Sequence, residues 1–115
     1  MIRNRTKKNI VVRHHKICDT LPRHMLGLMF HPKIKDFGLI FEFREDVVAS
    51  IHMFFVFFKI DVIWLDKDKK VVDKKEHISP FTPHVRPSAK SRFFIELPDG
   101  TINKKKIKEE DYMSW

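Results

Sequence analysis

The 115-residue sequence has one cysteine, three glycines and no glutamine. With Cys18 alone, no disulfide can form within the chain, so the core has to hold the fold. We interpret Cys18 as a structural residue, because nucleophilic use needs a positioned base. The lack of glutamine beside 33% charged residues favours a heat-adapted source. Arg3 and Arg5 stand where an export signal needs an apolar stretch of about 7–15 residues, so we expect a cytoplasmic protein.

Positive charge is concentrated near the start of the chain, although the net charge of +8 belongs to the whole sequence. Residues 1–18 hold six basic side chains and no acidic one, whereas the other 97 residues carry 17 basic and 15 acidic side chains. We therefore predict a basic, flexible arm over residues 1–8 and one folded domain over residues 9–115. The arm is either a solubilising tail or a weak site for nucleic acid or another anionic surface. Its basic side chains are Arg3, Arg5, Lys7 and Lys8.

Short β-like runs separated by charged or Pro-Asp-Gly turns make up most of the chain. Phe93, Ile95 and Leu97 recur with the period of two that is typical of a strand. One helix is predicted to begin at Thr20 and to end before Pro32. The sequence thus predicts a mostly β fold with one or two short helices: a compact single domain whose antiparallel or mixed sheet curls toward a small barrel. The predicted strands are residues 9–12, 39–43, 51–58, 60–65, 71–77, 92–97 and a last piece at 112–115.

Residues 47–65 form an apolar run long enough for a membrane span by hydrophobicity alone. Lys59 and Asp61 lie inside it, and each costs about 2.5–3.5 kcal/mol at the centre of an inserted helix. The aromatic and β-branched content favours two adjoining buried strands instead, so we expect no membrane span. Met53, Phe55 and Phe57 then belong either to the core or to a surface for a protein partner or for self-association.

Three polar side chains are embedded in apolar runs: His52, Asp61 and Glu96. They could line a small polar binding pocket, with the carboxylates as acceptors and the imidazole as a proton donor or acceptor. Alternatively, Asp61 caps a turn, Glu96 pairs with Arg92 or Lys59, and His52 is a satisfied core residue. The seven histidines lack the short paired spacings of a structural zinc site, and no phosphate-binding glycine loop is found. We therefore expect neither a metal nor a cofactor, and we assign no catalytic residue.

Five motifs follow one another along the chain: RHMLGLMF (23–30), GLIFEF (38–43), HMFFVFF (52–58), IDVIWLD (60–66) and FIELPDG (94–100). Over residues 18–115 this ordered series resembles the domain of unknown function family 192, also called uncharacterised protein family 0127, in its archaeal form. The resemblance implies a compact, mostly β domain and no established activity, cofactor or catalytic residue.

A set of core-forming motifs without a catalytic constellation favours a small, non-enzymatic binding or interaction module. One alternative is an enzyme that uses the neighbourhood of His52, Asp61 and Glu96. Another is association with nucleic acid through the basic arm.

Overall fold

A computed structural model of the chain describes residues 1–18, 35–51, 58–82 and 84–115. The helix predicted from Thr20 and most of the strand predicted at 51–58, including His52, Met53, Phe55 and Phe57, lie outside the described residues. The described elements are β1 Ile2–Asn4, β2 Asn9–Val12, β3 His14–Cys18, β4 Phe37–Val47, β5 Ile60–Leu65, β6 Val71–Ile78, β7 Ser91–Pro98, α1 Thr101–Lys105 and β8 Met113–Ser114.

The described strands form two sheets. The larger sheet has the order β3-β4-β7-β5-β6, and the smaller has the order β2-β1-β8. Strands β3 and β4 are parallel, whereas the other neighbouring pairs are antiparallel. The predicted mostly β single domain with a mixed sheet is confirmed. Within the described residues, no helix has the length and apolar character that crossing a membrane requires.

Alternation along the strands gives the larger sheet two apolar faces. Every residue of β5 is buried, which explains why this segment reads as a continuous apolar run rather than an alternating one. Ile63, Ile95 and Leu97 pack against Ile2 and other residues of the smaller sheet and the C-terminal segment. The opposite face carries a second cluster that includes Phe41, Val62, Trp64 and Phe94.

The two sheets approach closely where Gly38 of β4 lies beneath β1. A Cβ atom added at Gly38 would lie 2.7 Å from Cδ1 of Ile2 and 3.2 Å from Cγ2 of Val12. Glycine therefore leaves room for Ile2, which is completely buried.

Residues 1–8 do not form the flexible arm that the charge pattern predicted. Strand β1 pairs with β2 on one side and β8 on the other, and both Ile2 and Asn4 are completely buried. The Asn4 side-chain amide donates to Asp111 Oδ2 at 2.9 Å, and Lys7 Nζ reaches the same oxygen at 2.7 Å. The segment is ordered despite its charge because Ile2 and Asn4, which alternate with the basic residues, are buried: Ile2 packs in the core and Asn4 is hydrogen-bonded to Asp111.

Candidate anion-binding groove

A groove of about 920 Å³ separates the β1–β2 hairpin from the segment that joins β7 to α1. On the hairpin side, Ile2 and Asn4 point into the core while Arg3 stays exposed between them. The turn that follows brings Lys8, in a left-handed conformation with φ of 57°, to the same groove. The described lining residues are Arg3, Lys8, Asn9, Ile10, Val11, Val12, Arg13, Asp36, Pro98, Asp99, Gly100, Thr101, Lys104 and Lys105.

The opposite wall begins at a tight turn and continues into α1. Gly100 has a φ of 85°, a left-handed conformation that glycine adopts without steric cost, and it immediately precedes the helix. Lys104 and Lys105 occupy the last turn of α1, where positive charge also interacts favourably with the helix dipole. Both side chains line the groove.

Positive charge dominates the groove. Five of the described lining residues are basic and two are acidic, which gives a formal charge of +3. Arg13 is paired with Asp36, with 3.6 Å between Nε and Oδ2. The other four basic residues make no ion pair with any described part of the chain. These four unpaired cations are Arg3, Lys8, Lys104 and Lys105.

Asp61 holds the start of α1, which forms part of this wall, through its side-chain carboxylate. It lies on β5 opposite a bulge in β6, where the pairing register skips from Ile78 to Lys75. Its Oδ1 accepts a hydrogen bond from the backbone N–H of His77 at 3.0 Å, and its Oδ2 accepts one from the backbone N–H of Ile102 at 2.8 Å. The buried carboxylate therefore joins the β6 bulge to the first turn of α1, in agreement with the alternative that Asp61 caps a turn.

His77 and Asp99 form an exposed pair at the edge of the groove. The imidazole Nδ1 lies 2.5 Å from Asp99 Oδ1, and this hydrogen bond, followed by the charge of Asp99, raises the pKa of His77. One carboxylate oxygen of Asp61, one of Asp99 and a ring nitrogen of His77 all lie within 4.8 Å of one another. These atoms are of the types that coordinate divalent cations. Asp61 lies on β5, His77 on β6 and Asp99 in the turn after β7, so sequence spacing alone could not show that they meet.

Asp61 and Glu96 do not converge on one pocket. Asp61 is opposite Leu97, whereas Glu96 is opposite Val62, so the two carboxyl groups point to opposite faces of the larger sheet. His52, the third residue of the predicted polar pocket, lies outside the described residues. The described structure therefore does not bring these residues together in one pocket.

Glu96 is buried among apolar neighbours. Its Oε2 has no hydrogen-bond partner in the described part of the chain, and burial raises the pKa of Glu96 to about 8. The predicted pairing with Arg92 is not formed, because Arg92 instead contacts Asp46, with 3.1 Å between Nε and Oδ1.

The four basic residues predicted near the N-terminus are divided by the fold. Arg3 and Lys8 line the groove, whereas Arg5 does not and Lys7 is paired with Asp111. Lys104 and Lys105 were not predicted as site residues, because acidic residues follow at 109–111 and a run of mixed charge is typical of a solvated surface turn. The available signal was the uninterrupted run of three lysines at 104–106.

The model of the family DUF192, described as "Uncharacterized ACR", matches residues 2–115. The chain belongs to the DUF192 family. A UPF0127 protein of Thermococcus gammatolerans is 37% identical over 119 residues, with all of this chain and 74% of the relative covered. One of Thermococcus sibiricus is 35% identical over 117 residues, with the same coverage. The predicted family and its archaeal form are thus confirmed, and the heat-adapted composition agrees with these relatives.

Two solved structures share the DUF192 fold described here. A protein of unknown function from Novosphingobium aromaticivorans superposes with a TM-score of 0.90 at 21% identity, covering 99% of this chain and 82% of that one. A candidate transcription regulator from Sinorhizobium meliloti superposes with a TM-score of 0.83 at 18% identity, covering 87% and 79%. At these identities the likeness establishes the fold alone.

Proposed function

We propose that this protein is a non-enzymatic binding module that holds an anionic ligand in the groove between the β1–β2 hairpin and α1. The observation that carries the proposal is the set of four unpaired cations on its two walls. Positive charges gathered in one concave site repel each other, and a bound anion relieves that repulsion. Arg3 and Lys8 are separated from Lys104 and Lys105 by most of the chain, so the fold itself assembles this charge.

The hydrogen bonding of the polar groups favours binding over catalysis. Both oxygens of Asp61 accept backbone N–H groups, and the Thr101 hydroxyl donates to the carbonyl of Pro98 at 2.6 Å. Asp99 is hydrogen-bonded to His77, and Glu96 lies on the other face of the sheet. Asp61, Thr101 and Asp99 are therefore engaged in maintaining the walls, and Glu96 does not face the groove. A cytoplasmic location stays a prediction of the sequence.

Titration of isotope-labelled protein with tripolyphosphate, followed by amide chemical shifts, tests the proposal. We expect saturable shifts at residues 8–13 and 99–105, because these backbone segments line the groove. Shifts confined to the β5–β6 hairpin, or no saturable shifts, would contradict it.

A further inference from the structure

We infer that the anion is the phosphate backbone of a single-stranded nucleic acid, bound along the groove without sequence preference. This inference rests on the proposed function, because it names the chemical class of the same ligand. Four features of the groove support it: its size, the distribution of its cations, the absence of aromatic rings among its described lining residues and its concave shape.

The size of the groove and the spread of its cations favour a chain of phosphates over one phosphate group. At about 920 Å³ the groove is near the upper end of the range of about 300–1,000 Å³ for small-molecule sites. Such sites place a few convergent polar groups in a mostly apolar pocket. Here the cations instead stand on two walls, Arg3 and Lys8 on one and Lys104 and Lys105 on the other. Repeated negative charges along a flexible strand match that distribution.

The lining chemistry indicates backbone recognition rather than base recognition. No aromatic ring is found among the described lining residues, so these residues offer no platform on which a base could stack. Ile10 is an exposed apolar side chain in the lining, whereas Val11 and Val12 belong to the core. Lysine and arginine contacts to phosphate give affinity without reading sequence.

The concave shape favours a single strand over a duplex. Proteins read a duplex by inserting a helix or a β-ribbon into its grooves, which requires a protruding element. In this protein the cations line a recess instead, and positively charged recesses that track the backbone are typical of single-strand binding.

Fluorescence anisotropy with a labelled, mixed-sequence oligonucleotide of about 12 nucleotides tests the inference. If the four unpaired cations each contact a phosphate, the logarithm of the association constant should fall against the logarithm of salt concentration with a slope of about −3. Substituting Lys104→Gln together with Lys105→Gln should reduce the slope to about −1.5. The same reduction is expected for Arg3→Gln with Lys8→Gln on the opposite wall.

The matched control is Lys67→Gln with Lys75→Gln. It removes the same charge from exposed positions on the β5–β6 hairpin, outside the groove, and should keep the slope of the wild-type protein. An equal loss of slope in this control would overturn the inference, because a general charge effect would then explain the binding.

Two further ligands separate the inference from the proposed function. If tripolyphosphate binds in the groove but the oligonucleotide binds no more tightly, the nucleic-acid inference fails and the proposed function stands. If a polyglutamate peptide of the same charge binds as tightly as the oligonucleotide, the groove fits an acidic protein and the inference is overturned. If none of these ligands binds, both fail.

Discussion

At the scale of single residues, Asp61 and Glu96 show how one sequence pattern can have two different outcomes. Both are acidic residues within apolar strands of the same sheet, and both are buried. Asp61 meets backbone N–H donors of a bulge and of a helix start, whereas Glu96 lies opposite the apolar residues Leu39 and Val62. The difference depends on which face each side chain occupies, and strand register decides this.

The substitution Asp61→Asn should destabilise the protein by about 1–3 kcal/mol. An amide has one oxygen acceptor, so either the N–H of His77 or that of Ile102 loses its partner. Urea unfolding measures the loss, and Asp68→Asn in the exposed β5–β6 turn is the control, expected within about 0.5 kcal/mol of the wild type. Equal effects of the two substitutions would contradict the capping role of Asp61.

The raised pKa of Glu96 predicts that stability falls as the pH rises between about 4.5 and about 8. In that range the unfolded chain has lost the Glu96 proton while the folded protein retains it. Raising the pH therefore favours the unfolded state. The variant Glu96→Gln has no titratable carboxyl group at this position. Its stability relative to the wild type should therefore increase with pH.

Urea unfolding of both proteins at several pH values measures this difference. The hydrogen bond to Asp99 also raises the pKa of His77, so this residue adds its own contribution to the pH dependence of stability. Because His77 is present in both proteins, its contribution cancels in the comparison. Parallel stability curves for the wild type and Glu96→Gln would show that the Glu96 carboxyl is not held neutral.

At the scale of elements, the sequence predicted strands well where hydrophobic periodicity was strong. The predicted strands 9–12 and 60–65 coincide with β2 and β5, and those at 71–77 and 92–97 lie within β6 and β7. Three short elements were missed, β1, β3 and α1, because each is stabilised mainly by tertiary contacts. The carboxylate of Asp61 caps α1 from a strand 41 residues away in sequence, a contact that no local pattern contains.

Strand β1 should contribute strongly to stability, in contrast to a flexible arm. We expect Ile2→Ala to cost about 2–5 kcal/mol, because Ile2 is completely buried between the sheets. Ile10→Ala on the neighbouring strand removes the same atoms from a side chain that is 36% exposed, and should cost clearly less, about 0.5 kcal/mol. Thermal or urea unfolding compares the two variants, and similar small costs would indicate that β1 is not part of the folded core.

At the scale of the whole molecule, the fold class and the family could be predicted from the sequence, but the groove could not. The basic residues of the N-terminal segment were noted as a surface for anions, and two of them, Arg3 and Lys8, do line the groove. Lys104 and Lys105, which line the opposite wall, come about one hundred residues later in the sequence. Only the packing of α1 against the β1–β2 hairpin brings the two pairs of residues to the same groove. Charge summed along the sequence carries no information about such a meeting in space.

The central claim, that this groove holds an anion, is tested most directly by the affinity of matched variants for tripolyphosphate, measured by calorimetry at constant low salt. Lys104→Gln with Lys105→Gln should weaken binding by about tenfold, because two surface charge contacts of about 0.7 kcal/mol each are lost. Lys67→Gln with Lys75→Gln, which lowers the net charge equally outside the groove, should leave the affinity close to that of the wild type. Equal affinities for the two variants would contradict the claim.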